Sequence, residues 1–530
     1  MSSIKERIKN NPWPTIIILA LAILLVFKIL STVSSNRKEL SVKAQNWDKL
    51  MLVLSQIDKN YVDSIDKSDI TEKVIPHILE TLDPHSVYLP PQELKDADEV
   101  LEGNFDGIGI EFNVPNDTAI VINVITGGPS ERAGLISGDR IVQVNKEIVA
   151  GVKMAQDSLV KRLRGKSGSM VNIGVKRGIS AKLVYFDIKR DKIPVKSIDV
   201  AYMTGQNIGY IKLSKFSRTS HKEFLEAVKQ LKSEGMKDLI FDLRSNSGGY
   251  FDQAFLLANE FLKKGELIVY MEGMHRKRQD FFADNSGTCN GIGLKVLIDE
   301  GSASSSEIFA GAIQDNDRGV VIGRRSFGKG LVQEPIYFTD KSGIRLTVAR
   351  FYTPTGRSIQ KPYSKDYQYD IYERFKHGEM SSADSIRKND SLKFTTPKGK
   401  IVYGGGGITP DIFVPIDTIG VNDFFVKASN QGLAFRFSSQ MADIYRPVLK
   451  NIKDIKSLNN FFATVNFEQR FLKYAEINKL VPKNDEWARC KDIIITQIKA
   501  LVGRYSPLDD LAFYPIMAEI DNVMKVATGQ

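Results

Sequence analysis

The sequence predicts a multidomain α/β protein whose central domain alternates strands and helices and whose two ends are helical. Two stretches predict this core. An apolar run that begins at Leu294 ends at Gly301, and a helical pattern and a second apolar run follow it. Another strand-like run, from Leu239 to Leu243, leads through a glycine turn into a further helical pattern. With 530 residues, the chain is long enough for about three or four domains.

Composition is that of an ordinary globular protein, with 42% apolar and 26% charged residues. The net charge of +10 is spread along the chain rather than gathered in a basic run, so we expect no nucleic-acid partner. Five scattered histidines and the distant Cys289 and Cys490 have no metal-ligand spacing. We therefore expect no metal and no cofactor, and a disulfide between the cysteines is left open.

Residues 1–36 predict a short tail and a transmembrane signal anchor. From residue 14 to residue 33 the chain is apolar except for Lys28 and small hydroxyl residues. Twenty helical residues span about 30 Å, the thickness of one bilayer core. A cleaved signal peptide is the alternative, but residues 31–35 offer no A-x-A site. Basic residues flank the segment on both sides, so their distribution does not fix its orientation in the membrane.

Residues 37–102 predict an N-terminal helical region. Apolar residues recur at helical spacing at two places, Trp47-Leu50-Met51-Leu54 and Ile75-Ile78-Leu79-Leu82. The pattern breaks at the turn-forming stretch 83–91, which is rich in proline. We interpret His85, which lies in this stretch, as a turn residue rather than a catalyst.

Residues 103–190 resemble a PDZ domain. The phrase Gly107-Ile108-Gly109-Ile110 stands where that fold has its carboxylate-binding loop, the turn 127–139 leads into an apolar strand, and residues 159–163 fit the groove helix. Such a domain adds an extended peptide to a sheet edge, while backbone N–H groups hold the terminal carboxylate. Apolar Ile108 and Ile110 favour an apolar last residue, so the resemblance implies protein substrates with apolar C-terminal tails.

Within residues 191–415, three polar side chains form a candidate site for nucleophilic catalysis. Ser304 falls at a helix start, Lys329 lies between two glycines, and Gln333 follows four positions later. A serine hydroxyl needs a base, and a lysine can be that base only when burial without a carboxylate partner keeps it neutral. Gln333 would orient the amine without recharging it. The alternative for Ser304 is a capping box with Glu307, which would only hold the helix end.

An oxyanion hole needs backbone donors near the serine. The first N–H groups of a helix have no partner, so that of Ser305 is available. The second donor is predicted from the glycine turn after the strand 239–243, where Gly248 and Gly249 are equal candidates. Residues 323–329 imitate a phosphate-binding loop, but a third glycine and a strand-like pair follow them, so we reject that interpretation.

Taken together and in this order, the serine turn, the Gly-Lys-Gly phrase with its glutamine and the Ser-Gly-Gly loop resemble the carboxyl-terminal processing peptidases, the tail-specific proteases of serine peptidase family S41. The resemblance covers about residues 45–415. It implies an α/β peptidase core of crotonase-like ββα units, with an inserted PDZ domain, that cleaves tails by acyl-enzyme chemistry. With the membrane helix, it implies a single-pass bacterial inner-membrane protein whose catalytic body faces the periplasm or extracytoplasmic space.

Two further regions have no assigned role. The polar stretch 361–400 reads as an insertion or mobile loop. Residues 416–530 predict a helical extension that is structural, positions substrate, forms a homo-oligomer or binds an adaptor protein. Two other classes of function were weighed: a catalytically inactive, membrane-tethered PDZ scaffold, and a crotonase-like acyl-transfer enzyme. The first disagrees with the presence of both dyad residues, and the second gives no reason for a PDZ segment.

Overall fold

The structure, a computed structural model, describes residues 13, 19–28, 47–114, 117–178, 182–205, 207–364 and 367–529. The chain divides between Ile78 and Leu79 into two compact units. In the first unit, residues 19–28 are helical and exposed. Two further helices follow: α1 Trp47–Asn60 and α2 Lys67–Glu80. The helices predicted between residues 47 and 80 are therefore present, and α1 has no buried side chain.

Half of the predicted membrane span, residues 14–33, lies outside the described residues, because only 19–28 of it are described. Among the described helices, none combines the length and the apolar character needed to cross a bilayer.

The second unit begins with a short strand and a helix and continues into a small antiparallel domain. Its elements are β1 Val87–Leu89, α3 Pro91–Glu102, β2 Asn104–Gly107, β3 Ile110–Asn113, β4 Ala119–Val124, α4 Pro129–Ala133, β5 Arg140–Val144, β6 Glu147–Ile148, α5 Gln156–Leu163, β7 Met170–Lys176, β8 Leu183–Lys189 and β9 Asp191–Pro194. The sheet has the order β3-β4-β5-β7-β8, with β6 on β5, and β2 pairs with β9 as a ribbon at its base. Strand β3 is thus an edge strand, open to an added peptide strand.

The central domain supplies the α/β core. Its elements are β10 Ile198–Met203, β11 Ile208–Leu213, α6 Ser220–Ser233, β12 Asp238–Asp242, α7 Phe251–Asn259, β13 Leu267–Gly273, β14 Arg276–Phe282, β15 Gly293–Ile298, α8 Ser305–Asp315, β16 Val320–Gly323, β17 Leu331–Tyr337 and β18 Gly343–Tyr352. A six-stranded sheet has the order β10-β11-β12-β15-β16-β21, with β21 Ile412–Phe413 at its edge. A second, antiparallel sheet joins β1, β18, β13 and β14, and β17 pairs with β18.

Helix α8 lies inside the core of the central domain. All eleven of its residues are buried. Its apolar residues, which the sequence placed at helical spacing, pack into one cluster with β12 and β15: Ile308, Phe309, Ala312 and Ile313. Strands β12 and β15 are parallel neighbours, so the loops after them emerge at the same edge of the sheet. That edge is where α/β proteins commonly build their sites.

The described residues of the stretch 361–400 contain regular secondary structure and several buried side chains, whereas the sequence predicted an insertion or a mobile loop. They contain α9 Asp370–Lys376 and β19 Lys393–Thr395, which pairs with β20 Ile401–Tyr403. Arg374 and Glu379 are about 5% exposed and form an ion pair at 2.8 Å. Glu379 also accepts from Arg325 at 2.7 Å. Many charged residues of this stretch are exposed, but Arg374 and Glu379 pair with each other, which is how charged groups are tolerated when buried.

The C-terminal extension is helical, as predicted. It contains α10 Asp423–Asn430, α11 Leu433–Leu449, α12 Ile455–Ala463, α13 Phe467–Ile477, α14 Glu486–Arg504, α15 Asp510–Ala518 and α16 Asn522–Thr528. Most of these helices share an apolar core of their own, whereas α16 packs Val523 and Met524 against the six-stranded sheet. Cys490 in this extension and Cys289 in the central domain are buried free thiols.

The extension also contacts the PDZ-like domain. Asp443 of α11 pairs with Arg140 of β5 at 2.5 Å, and Asp509 accepts from the Asn123 amide at 2.8 Å. On the side of the central domain, the Tyr514 hydroxyl donates to Asp199 at 2.8 Å. The extension therefore joins the two domains that precede it in the chain.

Candidate active site

Ser304 lies on a tight turn between β15 and α8. Its backbone has φ 55° and ψ −115°, a strained conformation for a residue with a side chain. The turn is tied to the neighbouring glycine loop, because the Asp299 carboxylate accepts from the N–H of Ser245 at 2.7 Å and from that of Gly301 at 3.0 Å. A serine on a strained strand-to-helix turn presents its hydroxyl outward, as nucleophilic serines require.

The Ser305 N–H is available beside Ser304. The N–H groups of the next three residues bond back to carbonyls of the turn, but in the described part of the chain that of Ser305 has no hydrogen-bond partner. Gly248 approaches the same point. A Cβ added to Gly248 would lie 2.8 Å from the Ser304 Cβ and 3.0 Å from the Ser305 nitrogen. The glycine loop and the serine turn are therefore in contact, as the sequence predicted.

The two glycines of this loop differ in their hydrogen bonds. The Gly248 N–H donates to the Asn246 side chain at 2.9 Å. The Gly249 N–H has no partner within the described residues. Because the Gly248 carbonyl accepts from the Phe216 N–H at 3.0 Å, and because the carbonyl and N–H of one trans peptide point in opposite directions, the Gly249 N–H points away from Phe216.

The Lys329 amine is held by a neutral side chain. Its Nζ donates to the Gln333 Oε1 at 2.8 Å, and no carboxylate forms an ion pair with it among the described residues. Burial, and then the charge of Arg345, hold the pKa of Lys329 below its usual value. The Gln333 Nε2 donates to the His85 carbonyl at 2.5 Å, so the amide must present its oxygen to the amine.

The glycines on either side of Lys329 are required by packing. A Cβ on Gly330 would lie 2.8 Å from Ile359, and one on Gly328 would lie 3.2 Å from the Lys361 side chain at a φ of 91°. These two positions let the chain pass close to residues 359–361 while it carries Lys329 into the site.

Glu307 links the serine turn to the lysine loop. Its carboxylate is fully buried and accepts from the N–H of Ser304 at 2.9 Å, of Gly328 at 2.7 Å and of Lys329 at 2.8 Å. It also accepts from the Ser326 hydroxyl at 2.5 Å. Burial raises the pKa of this carboxyl. The capping interaction weighed for Glu307 exists, but the same side chain holds the lysine loop as well.

Some groups at the site were missed by sequence reasoning. His85 does lie in a turn, with its N–H bonded to Asp83 at 2.7 Å, yet its carbonyl holds Gln333 and its ring lies against Phe327. Tyr367 reaches the His85 ring with its hydroxyl, at 2.6 Å from Nε2. No local pattern marks either residue. The S-x-x-E spacing was the one available signal for Glu307.

The predicted carboxylate-binding loop lies in the PDZ-like domain. Gly107 ends β2 and Ile110 begins β3, and Gly109 between them has a φ of 75°. The N–H groups of Ile108 and Gly109 have no hydrogen-bond partner within the described residues. The loop thus offers two free donors beside the open edge of β3. Elsewhere in the described chain, no three acidic, histidine or cysteine side chains are placed to hold a metal ion.

Comparison with known proteins identifies three regions of the chain. Residues 207–371 match peptidase family S41, residues 107–189 match the PDZ domain family, and residues 424–506 match a family of unknown function. Fold and matches together define the class: this is a serine peptidase with a PDZ domain.

Individual relatives name the family more closely. The chain is 34% identical over 363 residues to a "Probable CtpA-like serine protease" of Staphylococcus epidermidis, covering 67% of this chain and 72% of that protein. It is 32% identical over 317 residues to the "Carboxy-terminal processing protease CtpB" of Bacillus subtilis, covering 59% of this chain and 65% of that one. The protein belongs to peptidase family S41, as a carboxyl-terminal processing serine protease.

Among solved structures, the chain is similar to a photosystem II D1 C-terminal processing protease. The identity is 25%, the match covers 71% of this chain and 88% of that one, and the TM-score is 0.39.

Proposed function

We propose that this protein is a membrane-anchored endopeptidase in which Ser304 is the nucleophile and Lys329 the general base. The observation that carries the proposal is the environment of the Lys329 amine. It is partly buried, its hydrogen-bond acceptor is the neutral Gln333, and its pKa is lowered chiefly by burial. An amine in such a site is neutral at a lower pH than a free lysine and can accept the serine proton.

The reaction then follows acyl-enzyme chemistry. Ser304 Oγ attacks the scissile carbonyl as its proton passes to Lys329 Nζ, and the charge that develops on the carbonyl oxygen is held by the N–H groups of Ser305 and Gly249. Lys329 returns the proton to the leaving amine. A water molecule, activated by the same amine, hydrolyses the ester. We assign the second oxyanion donor to Gly249 because the Gly248 N–H is already bonded.

The test of the dyad uses an unstructured protein that ends in apolar residues as the substrate. We expect Ser304→Ala and Lys329→Ala each to abolish cleavage, by a factor of about 10³ or more, while thermal unfolding stays cooperative. Lys277→Ala, at an exposed position, is the matched control and should cleave like the unaltered protein. Full activity of folded Lys329→Ala would overturn the dyad.

We further propose that the PDZ domain selects substrates by their C-terminus. The support is the open edge of β3 and the unpaired N–H groups of Ile108 and Gly109. The test compares one unstructured substrate with three ends: an apolar residue with a free carboxylate, the same residue as an amide, and aspartate. We expect the amide and the aspartate to raise KM and to leave the cleavage positions unchanged. Equal KM values for the three would refute this role.

The anchor is the remaining part of the proposal. It is supported by the apolar composition of residues 14–33. In bacterial cells, we expect the full chain to stay in the membrane fraction after alkaline carbonate extraction and a chain beginning at residue 37 to be released. Protease added outside the inner membrane should degrade the catalytic body. Release of the full chain by carbonate would refute the anchor, and protection of the body would refute the proposed orientation.

A further inference from the structure

Tyr367 brings a hydroxyl from the packed segment 361–400 to the Lys329 site. The residue is 6% exposed. Its hydroxyl lies 2.6 Å from the His85 Nε2 and 3.2 Å from the Gln360 Nε2. The ring also meets the rings of His85 and Phe327 edge to face, with centroids 5.3 and 6.4 Å away. One hydroxyl thus bonds to both His85 and Gln360, and each of these residues is connected to Lys329 by further hydrogen bonds.

The first connection runs through His85. The His85 ring is held by Tyr367, and its N–H is held by Asp83 at 2.7 Å, so the position of its carbonyl is fixed from both sides. That carbonyl accepts from the Gln333 Nε2 at 2.5 Å, and the Gln333 Oε1 accepts from the Lys329 amine at 2.8 Å. The orientation of the Gln333 amide therefore depends on where His85 sits.

The second connection runs through Gln360. Its Oε1 accepts from the Gly330 N–H at 3.0 Å, and the N–H of Lys361, the next residue, donates to the Gly328 carbonyl at 3.0 Å. The peptides on both sides of Lys329 are therefore held by residues 360 and 361. Since the Gln360 Nε2 donates to the Tyr367 hydroxyl, the two connections end on the same oxygen.

The protonation states of these groups are consistent with one arrangement. The Gln360 amide donates to the Tyr367 oxygen, so the hydroxyl proton goes to the His85 Nε2, which must be unprotonated. Burial and the charge of Lys329 lower the pKa of His85 to about 4. Burial raises the pKa of Tyr367 to about 12. Between these values the imidazole is neutral and the phenol keeps its proton.

We propose that Tyr367 is a positioning residue for peptide hydrolysis: its hydroxyl, shared by His85 and Gln360, holds Gln333 and the lysine loop so that the Lys329 amine faces an oxygen acceptor. The proposal rests on the role assigned above to Lys329. It also gives residues 361–400 a function, because the segment supplies a side chain that orders the active site.

The test is Tyr367→Phe, which removes the hydroxyl and keeps the ring. We expect kcat to fall about tenfold while KM changes less than twofold, because a positioning group acts on the reacting geometry. A loosened Gln333 lets water reach the amine, which moves the pKa of Lys329 toward that of a free lysine. The acid limb of the kcat profile should therefore move to higher pH, by half a unit or more.

The matched control is Tyr369→Phe, the same change at a site that is 66% exposed, and it should leave kcat and the limb unaltered. If Tyr367→Phe does not fold, His85→Leu carries the test, since it removes the acceptor of the hydroxyl proton and keeps the backbone carbonyl. The acid limb of its kcat profile is also expected to move to higher pH.

The outcomes separate this proposal from the dyad. A folded Tyr367→Phe protein with unaltered kcat and pH profile would overturn the positioning role and leave the dyad standing. Activity in Lys329→Ala would overturn the dyad, whatever Tyr367→Phe does. A combined Tyr367→Phe and Gln333→Ala protein should lose less than the product of the two single losses, because the hydroxyl acts partly through Gln333. Independent, multiplicative losses would count against the route through His85.

Discussion

The Glu307 carboxylate joins the serine turn to the lysine loop, so Glu307→Gln is the sharpest perturbation of the site short of the dyad itself. One oxygen accepts from Ser326 and Gly328, and the other accepts from Ser304 and Lys329. Glutamine keeps the volume of the side chain but replaces one oxygen with an NH₂ donor. The two hydrogen-bond donors that face the new NH₂ group then have no acceptor there.

The magnitude follows from which oxygen is lost. If the NH₂ takes the place next to Ser326, that hydroxyl can turn to accept, and only the Gly328 N–H is left unpaired. If it takes the other place, two backbone N–H groups lose their acceptor. Each hydrogen bond to a charged group contributes about 1.5–3 kcal/mol, so we expect a loss of roughly 2–5 kcal/mol. In a domain of this size, that lowers Tm by about 5–15 °C.

The change also acts on the pKa of Lys329, the proposed base. The Glu307 charge raises the pKa of Lys329, against the larger effect of burial. Removing that charge lowers the pKa of Lys329 further, so the amine becomes neutral at a lower pH. The acid limb of kcat/KM should therefore move to lower pH, the opposite direction from Tyr367→Phe, while kcat falls because Ser304 is held less firmly.

The assay is calorimetry together with cleavage rates from pH 5 to pH 10. Glu334→Gln, at a half-exposed carboxylate next to Gln333, is the matched control and should change Tm by at most about 2 °C. If Glu307→Gln melts like the unaltered protein and its acid limb stays in place, Glu307 neither joins the loops nor acts on Lys329, and the reasoning above is wrong.

Three further predictions concern other parts of the fold. Gly248→Ala should abolish cleavage, because the added Cβ would lie 2.8 Å from the Ser304 Cβ, whereas Gly399→Ala, also at positive φ but with open space around it, should retain activity. Arg357→Met should lower the free energy of unfolding in urea by about 3–5 kcal/mol, since it leaves the fully buried Asp315 without its partner. Burial raises the pKa of Asp510 to about 7, so this group binds a proton more tightly in the folded state, and stability should fall as pH rises from about 4 to 7. Melting curves of Asp510→Asn should lack that part of the pH dependence.

The parts of the site that could be predicted from sequence are those set by local pattern. Strand β15, the turn at Ser304 and helix α8 follow from an apolar run, a capping residue and helical spacing within some twenty residues. The apolar residues between Ile308 and Ile313 predicted this helix, but they did not predict that all eleven of its residues are buried. Local pattern also placed Gly248 and Ser305 at the ends of parallel strands, although it could not choose between the two glycines.

The parts that could not be predicted depend on contacts between distant residues. Tyr367 and His85 are 282 positions apart, and neither lies in a pattern that implies the other. The polar, charged composition of residues 361–400 favours a loop, but charged residues also pack when each finds a partner, as Arg374 does with Glu379. The contact of the extension with the PDZ domain depends on single ion pairs such as Arg140 with Asp443, which leave no periodic signal.

Lys329 lies close to the buried carboxylate of Glu307 and yet forms no ion pair with it, and the geometry of Glu307 explains this. A carboxylate can accept about four hydrogen bonds. At Glu307 all four are taken, three by backbone N–H groups and one by the Ser326 hydroxyl, so no acceptor site is left for the amine. The Lys329 Nζ therefore turns to Gln333, whose oxygen accepts a hydrogen bond but carries no full charge. The carboxylate can shape the loop around the base because its own hydrogen-bonding capacity is already filled.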